Sequence, residues 1–116
     1  MPAPARNINN ELTGQIISIV CDVWGVSRPD LVGRCRRRPL PWAREQLCEY
    51  LRLYAGHDSV SCAAILKQSP RSITDYSRLY PSIRRMYTPF RDRDEEIKRR
   101  LKALGCKPTN KTHPAH

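Results

Sequence analysis

Several things are scarce or missing in this 116-residue chain, and each absence excludes something. No apolar run approaches the ~20 residues that a spanning helix needs. The opening Met1-Pro2-Ala3-Pro4-Ala5-Arg6 lacks the apolar core of a secretory signal, so export is not expected. Glycine is sparse, five residues in all, and none stands in the G-x-x-x-x-G-K-[ST] spacing that cradles nucleotide phosphates. No two of the five cysteines (Cys21, Cys35, Cys48, Cys62, Cys106) form a Cys-x-x-Cys arrangement, and the three histidines lack finger-like spacing. A reducing, cytoplasmic setting with no metal and no cofactor is therefore expected. Segments alternating with period two are missing, so strands are not expected. No repeat recurs along the chain. Acid is also short: 11 Asp and Glu stand against 21 Lys and Arg, a formal charge of +10. Such an excess points to nucleic acid, an anionic surface or an acidic protein partner.

The charge is concentrated. Gly33-Arg34-Cys35-Arg36-Arg37-Arg38-Pro39-Leu40-Pro41-Trp42-Ala43-Arg44 places five arginines between two helix-like segments. Its prolines forbid regular helix until Pro41 can serve in a first turn. Four arginines within five positions repel one another unless solvent or a polyanion neutralises them. A bent loop of forked donors suits phosphate oxygens. A solvated surface loop is the plain alternative, but the basic bias of the whole chain weighs against it.

The hydrophobic period is helical throughout, and 116 residues suit one core. Leu12, Ile16, Ile19, Val20, Val23 and Trp24 mark a first helix from Asn10 that stops at Gly25. Ser27-Arg28-Pro29-Asp30 caps a short helix through Val32. Ala43, Leu47, Tyr50, Leu51 and Tyr54 form a strict stripe, with Arg44, Glu45, Glu49 and Arg52 on the other face. Asp58 or Ser59 caps a segment from Val60 to Lys67, and Ser69-Pro70 starts the next helix at once. In that helix Ile73, Tyr76, Leu79 and Tyr80 are expected to face inward, and Arg71, Thr74, Asp75 and Arg78 outward. Asp75 can accept from cytosine or pair with Arg71 or Arg78. Pro81 either kinks this element or divides it, and Pro89 is expected to end it. Asp92 to Glu96 then supply an acidic start to a last helix, with Ile97, Leu101 and Leu104 as its seam, and Gly105 stops it. His57, alone beside Gly56, reads as a turn residue.

With these pieces in order, residues 10–104 resemble the C-terminal DNA-binding domain of the bacterial replication initiator DnaA. The likeness rests on Val26-Ser27-Arg28-Pro29-Asp30-Leu31-Val32-Gly33-Arg34, on Arg36, Arg37 and Arg38, and on the helix bearing Ala43-Arg44-Glu45-Gln46 and Tyr50-Leu51. It implies a Trp-repressor-like fold with a helix-turn-helix, and a basic loop that enters the minor groove. When Ile73 takes the valine's place in the family's signature, glycine-arginine-aspartate-histidine-threonine-threonine-valine, the residues that read the initiator box fall on Gln68, Ser69, Pro70, Arg71 and Ser72. Only the Ser72 hydroxyl and the apolar Ile73 keep its character. Backbone binding is thus expected, whereas the family's own recognition sequence is not. The ATPase region of a full initiator has no counterpart here, so the chain reads as a detached binding module or a fragment.

The expected fold is all-α, a compact bundle of five to seven helices containing a helix-turn-helix. Residues 1–9 would be a flexible segment, 10–105 the helical domain and 106–116 a disordered tail. The expected function is non-enzymatic binding of double-stranded DNA at the nucleoid through the loop 34–38 and the helix-turn-helix 59–80. Arg34, Arg36, Arg37 and Arg38 would grip phosphate or enter the minor groove, with Arg44 and Lys67 as flanking phosphate contacts. Ser69, Arg71, Ser72, Thr74, Asp75 and Arg78 would address the major groove. The alternative is a basic helical module that docks an acidic protein. Neither a membrane nor a small-molecule substrate is expected.

Overall fold

The structure is a computed structural model and describes residues 9–106. Six helices make up this span: α1 (Asn10–Trp24), α2 (Arg28–Leu31), α3 (Leu40–Ala55), α4 (Ser59–Leu66), α5 (Pro70–Met86) and α6 (Thr88–Ala103). No strand occurs among the described residues, and no helix there is long and apolar enough to cross a membrane. The all-α bundle expected from the sequence is what is found.

Local chemistry sets most of the boundaries. The Asn9 side chain accepts from the Leu12 amide (3.0 Å), Asp58 from Ser61 (2.8 Å) and Ser69 from Ser72 (3.1 Å). Each bond satisfies an amide that the first helical turn leaves without a partner. Gly25 and Gly56 close α1 and α3 in the left-handed region. Asn9, assigned by sequence to a flexible segment, belongs to the fold: its amide donates to the Ala55 carbonyl at 3.1 Å. Cys106 likewise packs against the core rather than starting a tail. The remainder of both expected terminal segments, 1–8 and 107–116, lies outside the described residues.

α3 forms the centre, against which α1 and α5 pack most extensively. Leu47, Tyr50, Leu51, Leu31, Ile16, Ile73, Phe90 and Ile97 are fully buried around it. Burying a side chain such as Phe90 contributes about 2–3 kcal/mol. Gln46 ties three helices together beneath this core. Its Oε1 accepts from Trp24 Nε1 (2.7 Å), and its Nε2 donates to the Phe90 carbonyl (2.8 Å).

Three expectations about the helices need correction. Arg44 and Glu45 do not lie on an outer face of α3 but are buried, because neighbours surround this helix rather than flanking one stripe. Leu79 is 42% exposed instead of facing the core. Pro89 does not end an element; it opens α6, where its missing N–H costs no hydrogen bond. Of the two outcomes the sequence left open at Pro81, division does not occur: α5 runs through it.

Asp94 is not a helix-start charge but the polar centre of the α3–α5–α6 contact. It is fully buried and accepts from Tyr50 Oη, Tyr80 Oη (2.6 Å) and Arg84 Nε (2.6 Å), with Lys98 Nζ at 3.4 Å. Burial pushes its carboxyl up to about 6, although Lys98 opposes the shift. His57 is also more than a turn residue. Its ring, 6% exposed, is hydrogen-bonded to the Thr13 hydroxyl (2.7 Å) and the Ser61 hydroxyl (2.6 Å), which joins α1 to α4.

Candidate nucleic-acid interface

The arginine loop is pinned at both ends. At its start, a Cβ on Gly33 would stand 2.7 Å from the Pro29 carbonyl oxygen, closer than backbone allows. Only glycine lets the chain leave α2 so tightly. The Gly33 carbonyl accepts from Gln68 Nε2 at 2.6 Å, which fastens the loop to the α4–α5 turn. At its end, the Arg38 guanidinium lies 5.2 Å from the Trp42 ring centroid. Trp42 in turn packs on Tyr87 and Trp24, with centroids 4.6 and 6.4 Å away. Between these anchors Arg34, Arg36, Arg37 and Arg38 are all exposed.

The turn between α4 and α5 is three residues, Lys67-Gln68-Ser69. Lys67 takes a left-handed conformation (φ 57°), unusual for a residue with a Cβ, and this makes the link compact. The two segments, 30 residues apart in sequence, line one groove of about 600 Å³: Arg34, Arg36, Lys67, Gln68, Ser69 and Ser72. No acidic side chain lines it. A second depression continues from it, where Arg36 and Pro41 face Ser69, Arg71, Ser72, Asp75 and Leu79. Its one carboxylate is held by its own helix, since Arg78 Nη2 donates to Asp75 Oδ1 at 3.0 Å. Converging guanidinium groups along low-dielectric walls raise the local positive potential and draw anions in.

Eleven of the twelve sequence-derived site residues are therefore on the surface, with at least part of each side chain accessible. Arg34, Arg36, Lys67, Ser69, Arg71, Ser72 and Asp75 share the two depressions. Arg37 and Arg38 continue the loop beyond them, and Thr74 and Arg78 lie on the exposed ridge of α5. Ser72 donates its amide to Ser69 Oγ, and the two hydroxyls are 3.1 Å apart. Thr74 Oγ1 donates to the Pro70 carbonyl.

Arg44 is the exception. Its side chain is fully buried; Nε donates to the Leu31 carbonyl and Nη2 to the Asp30 carbonyl, both at 2.8 Å. These bonds satisfy the carbonyls at the end of α2. A guanidinium spent in this way reaches no phosphate, so Arg44 supports the loop from beneath instead of flanking it. Gln68 was absent from the sequence-derived set. Its tie to Gly33 spans 35 residues, and no periodicity or spacing in the chain announces it.

Fold and groove together define an all-α protein with one acid-free basic groove. Compared with known proteins, the chain matches no family model, no curated protein and no solved structure. Among the described residues, no three His, Cys, Asp or Glu side chains converge as a metal site would require.

Proposed function

We propose that the protein binds double-stranded DNA without catalysing a reaction, in the manner of the initiator domain it resembles. One observation carries this reading: the arginine loop and the capped start of α5 meet at a single groove, fastened by Gln68. In this reading α4 and α5 are the helix-turn-helix. Arg34, Arg36, Arg37, Arg38 and Lys67 track phosphates, while Arg71, Ser72, Thr74 and Arg78 face base edges. Arg71 stands in the first turn of α5, the part of a recognition helix that enters the major groove first. Asp75 holds Arg78 in place rather than reading a base.

A second reading has its own support. Leu79 lines the basic depression, and Met86 is 73% exposed about two turns further along the same flank of α5. An acidic, amphipathic protein segment would find both charge and apolar surface there.

Titration of the protein against a random-sequence duplex and against polyglutamate, at rising salt, separates the readings. The DNA reading expects tighter binding to the duplex and a steep linear fall of log K with log salt. Equal or stronger binding to polyglutamate would overturn it.

A further inference from the structure

On the far side of α5, a cleft of about 500 Å³ opens between α3, α5 and α6. Ser77 and Arg84 of its lining stand five residues beyond Ser72 and Leu79 of the loop-side groove, hence about 140° away round the helix axis. The two depressions are separate sites. We propose that this second cleft binds a phosphate group, held by Arg85, Arg91 and Arg52.

The charge balance of the cleft is the first argument. Four guanidinium groups line it (Arg52, Arg84, Arg85 and Arg91) against one carboxylate, Glu49. Glu49 is used by Arg52, whose Nη2 donates to it at 2.9 Å. Arg84 is used by Asp94 and Glu95. Arg85 and Arg91 have no acidic partner among the described residues, so two positive charges converge there uncompensated. Their repulsion is relieved by an anion seated between them.

The second argument is an unused donor. Arg52 Nε is shielded from solvent and has no hydrogen-bond acceptor, which leaves a charged N–H without the partner such groups normally find. A small rotation of the half-buried Arg52 side chain turns that N–H toward an anion in the cleft, whose oxygen supplies the acceptor. The Ser77 hydroxyl on the rim adds a neutral donor. Several guanidinium forks and a hydroxyl around one point match the oxygens of a phosphate. Pro81 and the Tyr80 ring give the cleft an apolar wall that lowers the local dielectric. The same phosphate chemistry has two sources: a free phosphorylated ligand, or the second backbone of a duplex whose major groove holds α5.

The probe is inorganic pyrophosphate at constant ionic strength, followed by amide and arginine Nε–H resonances of the full chain. The wild type is expected to saturate, with shifts at Ser77, at Arg91 and at the Arg52 Nε–H. R85A/R91A, which alters only unpaired side chains, is expected to bind at that cleft at least tenfold more weakly. R34A/R36A is expected to leave those shifts intact. Shifts confined to residues 33–39, or unchanged binding in R85A/R91A, would overturn the proposal. Duplex DNA then identifies the source. A salt slope about 1.8 shallower in R85A/R91A assigns the phosphate to DNA. An unchanged slope, or a wild type that ignores DNA while pyrophosphate still binds, assigns it to a free phosphorylated ligand.

Discussion

Consider removal of Arg34, Arg36 and Arg71, the three guanidinium groups that line the loop-side depressions without an acidic partner among the described residues. Five cations track phosphate in this reading, Arg34, Arg36, Arg37, Arg38 and Lys67; Arg71 faces base edges, Arg44 is excluded by burial and Arg78 by its pairing with Asp75. Each phosphate neutralised contributes about −0.9 to the slope of log K against log salt, so the wild type should show about −4.5 and R34A/R36A/R71A, which keeps three of the five, about −2.7. Between about 50 and 200 mM salt, the wild type should lose affinity about 500-fold, and the variant only about 40-fold. All three side chains are exposed, so circular dichroism should show the fold retained. Fluorescence anisotropy with a labelled random duplex measures both slopes. A control, R99A/K102A, removes exposed charge from α6, away from either depression lining on the loop side. If the triple variant keeps the wild-type slope, or the α6 control flattens it equally, the binding follows net charge and the groove has no special part in it.

Other perturbations separate support from contact. Arg44→Ala strips two buried carbonyls of their donors and should cost roughly 3 kcal/mol, about 15 °C in Tm, yet leave the salt slope of the folded protein unchanged. Thermal melts and anisotropy together check this; a shallower slope would put Arg44 back among the phosphate contacts. Gln68→Ala removes the clasp on Gly33 for about 1 kcal/mol of stability, and duplex affinity should fall several-fold at constant slope while amide resonances of 33–38 shift. Glu45 gives a pH dependence. Burial pushes its carboxyl up to about 7 from an ordinary 4.5, and Oε1 has no hydrogen-bond partner. Because the folded state holds the proton more tightly, this contribution to stability is fully present below pH 4.5 and is lost as pH rises through about 7. Chemical denaturation should show the wild type losing roughly 2–3 kcal/mol relative to Glu45→Gln between pH 5 and 8. A parallel pH profile for the two proteins would refute the assignment. Asp94 adds a slope of the same sign in both.

The helices were legible because their signals are local. Asn9, Asp58 and Ser69 act on amides within the next three residues, and Gly25 and Gly56 act where they stand. The arginine loop was legible for the same reason, since charge density and proline placement need no partner to be read. Burial of polar residues on α3 was not legible. A helix surrounded by neighbours buries more than one stripe, so periodicity put Arg44 and Glu45 on the wrong face. Asp94 shows the same gap: its neighbours in sequence are charges, whereas its neighbours in space are two tyrosines and an arginine.

By itself, then, the sequence determined the all-α class, most of the helix boundaries and the concentration of positive charge, each set by interactions a few residues long. Only the tertiary structure decided which cations face outward and which groove they share. It laid residues 34–36 beside 67–72 through one side-chain hydrogen bond spanning 35 positions, and gathered arginines of α3, α5 and α6 into a second cleft. Such contacts arise from how helices cross once their apolar faces are buried, and no local pattern encodes that.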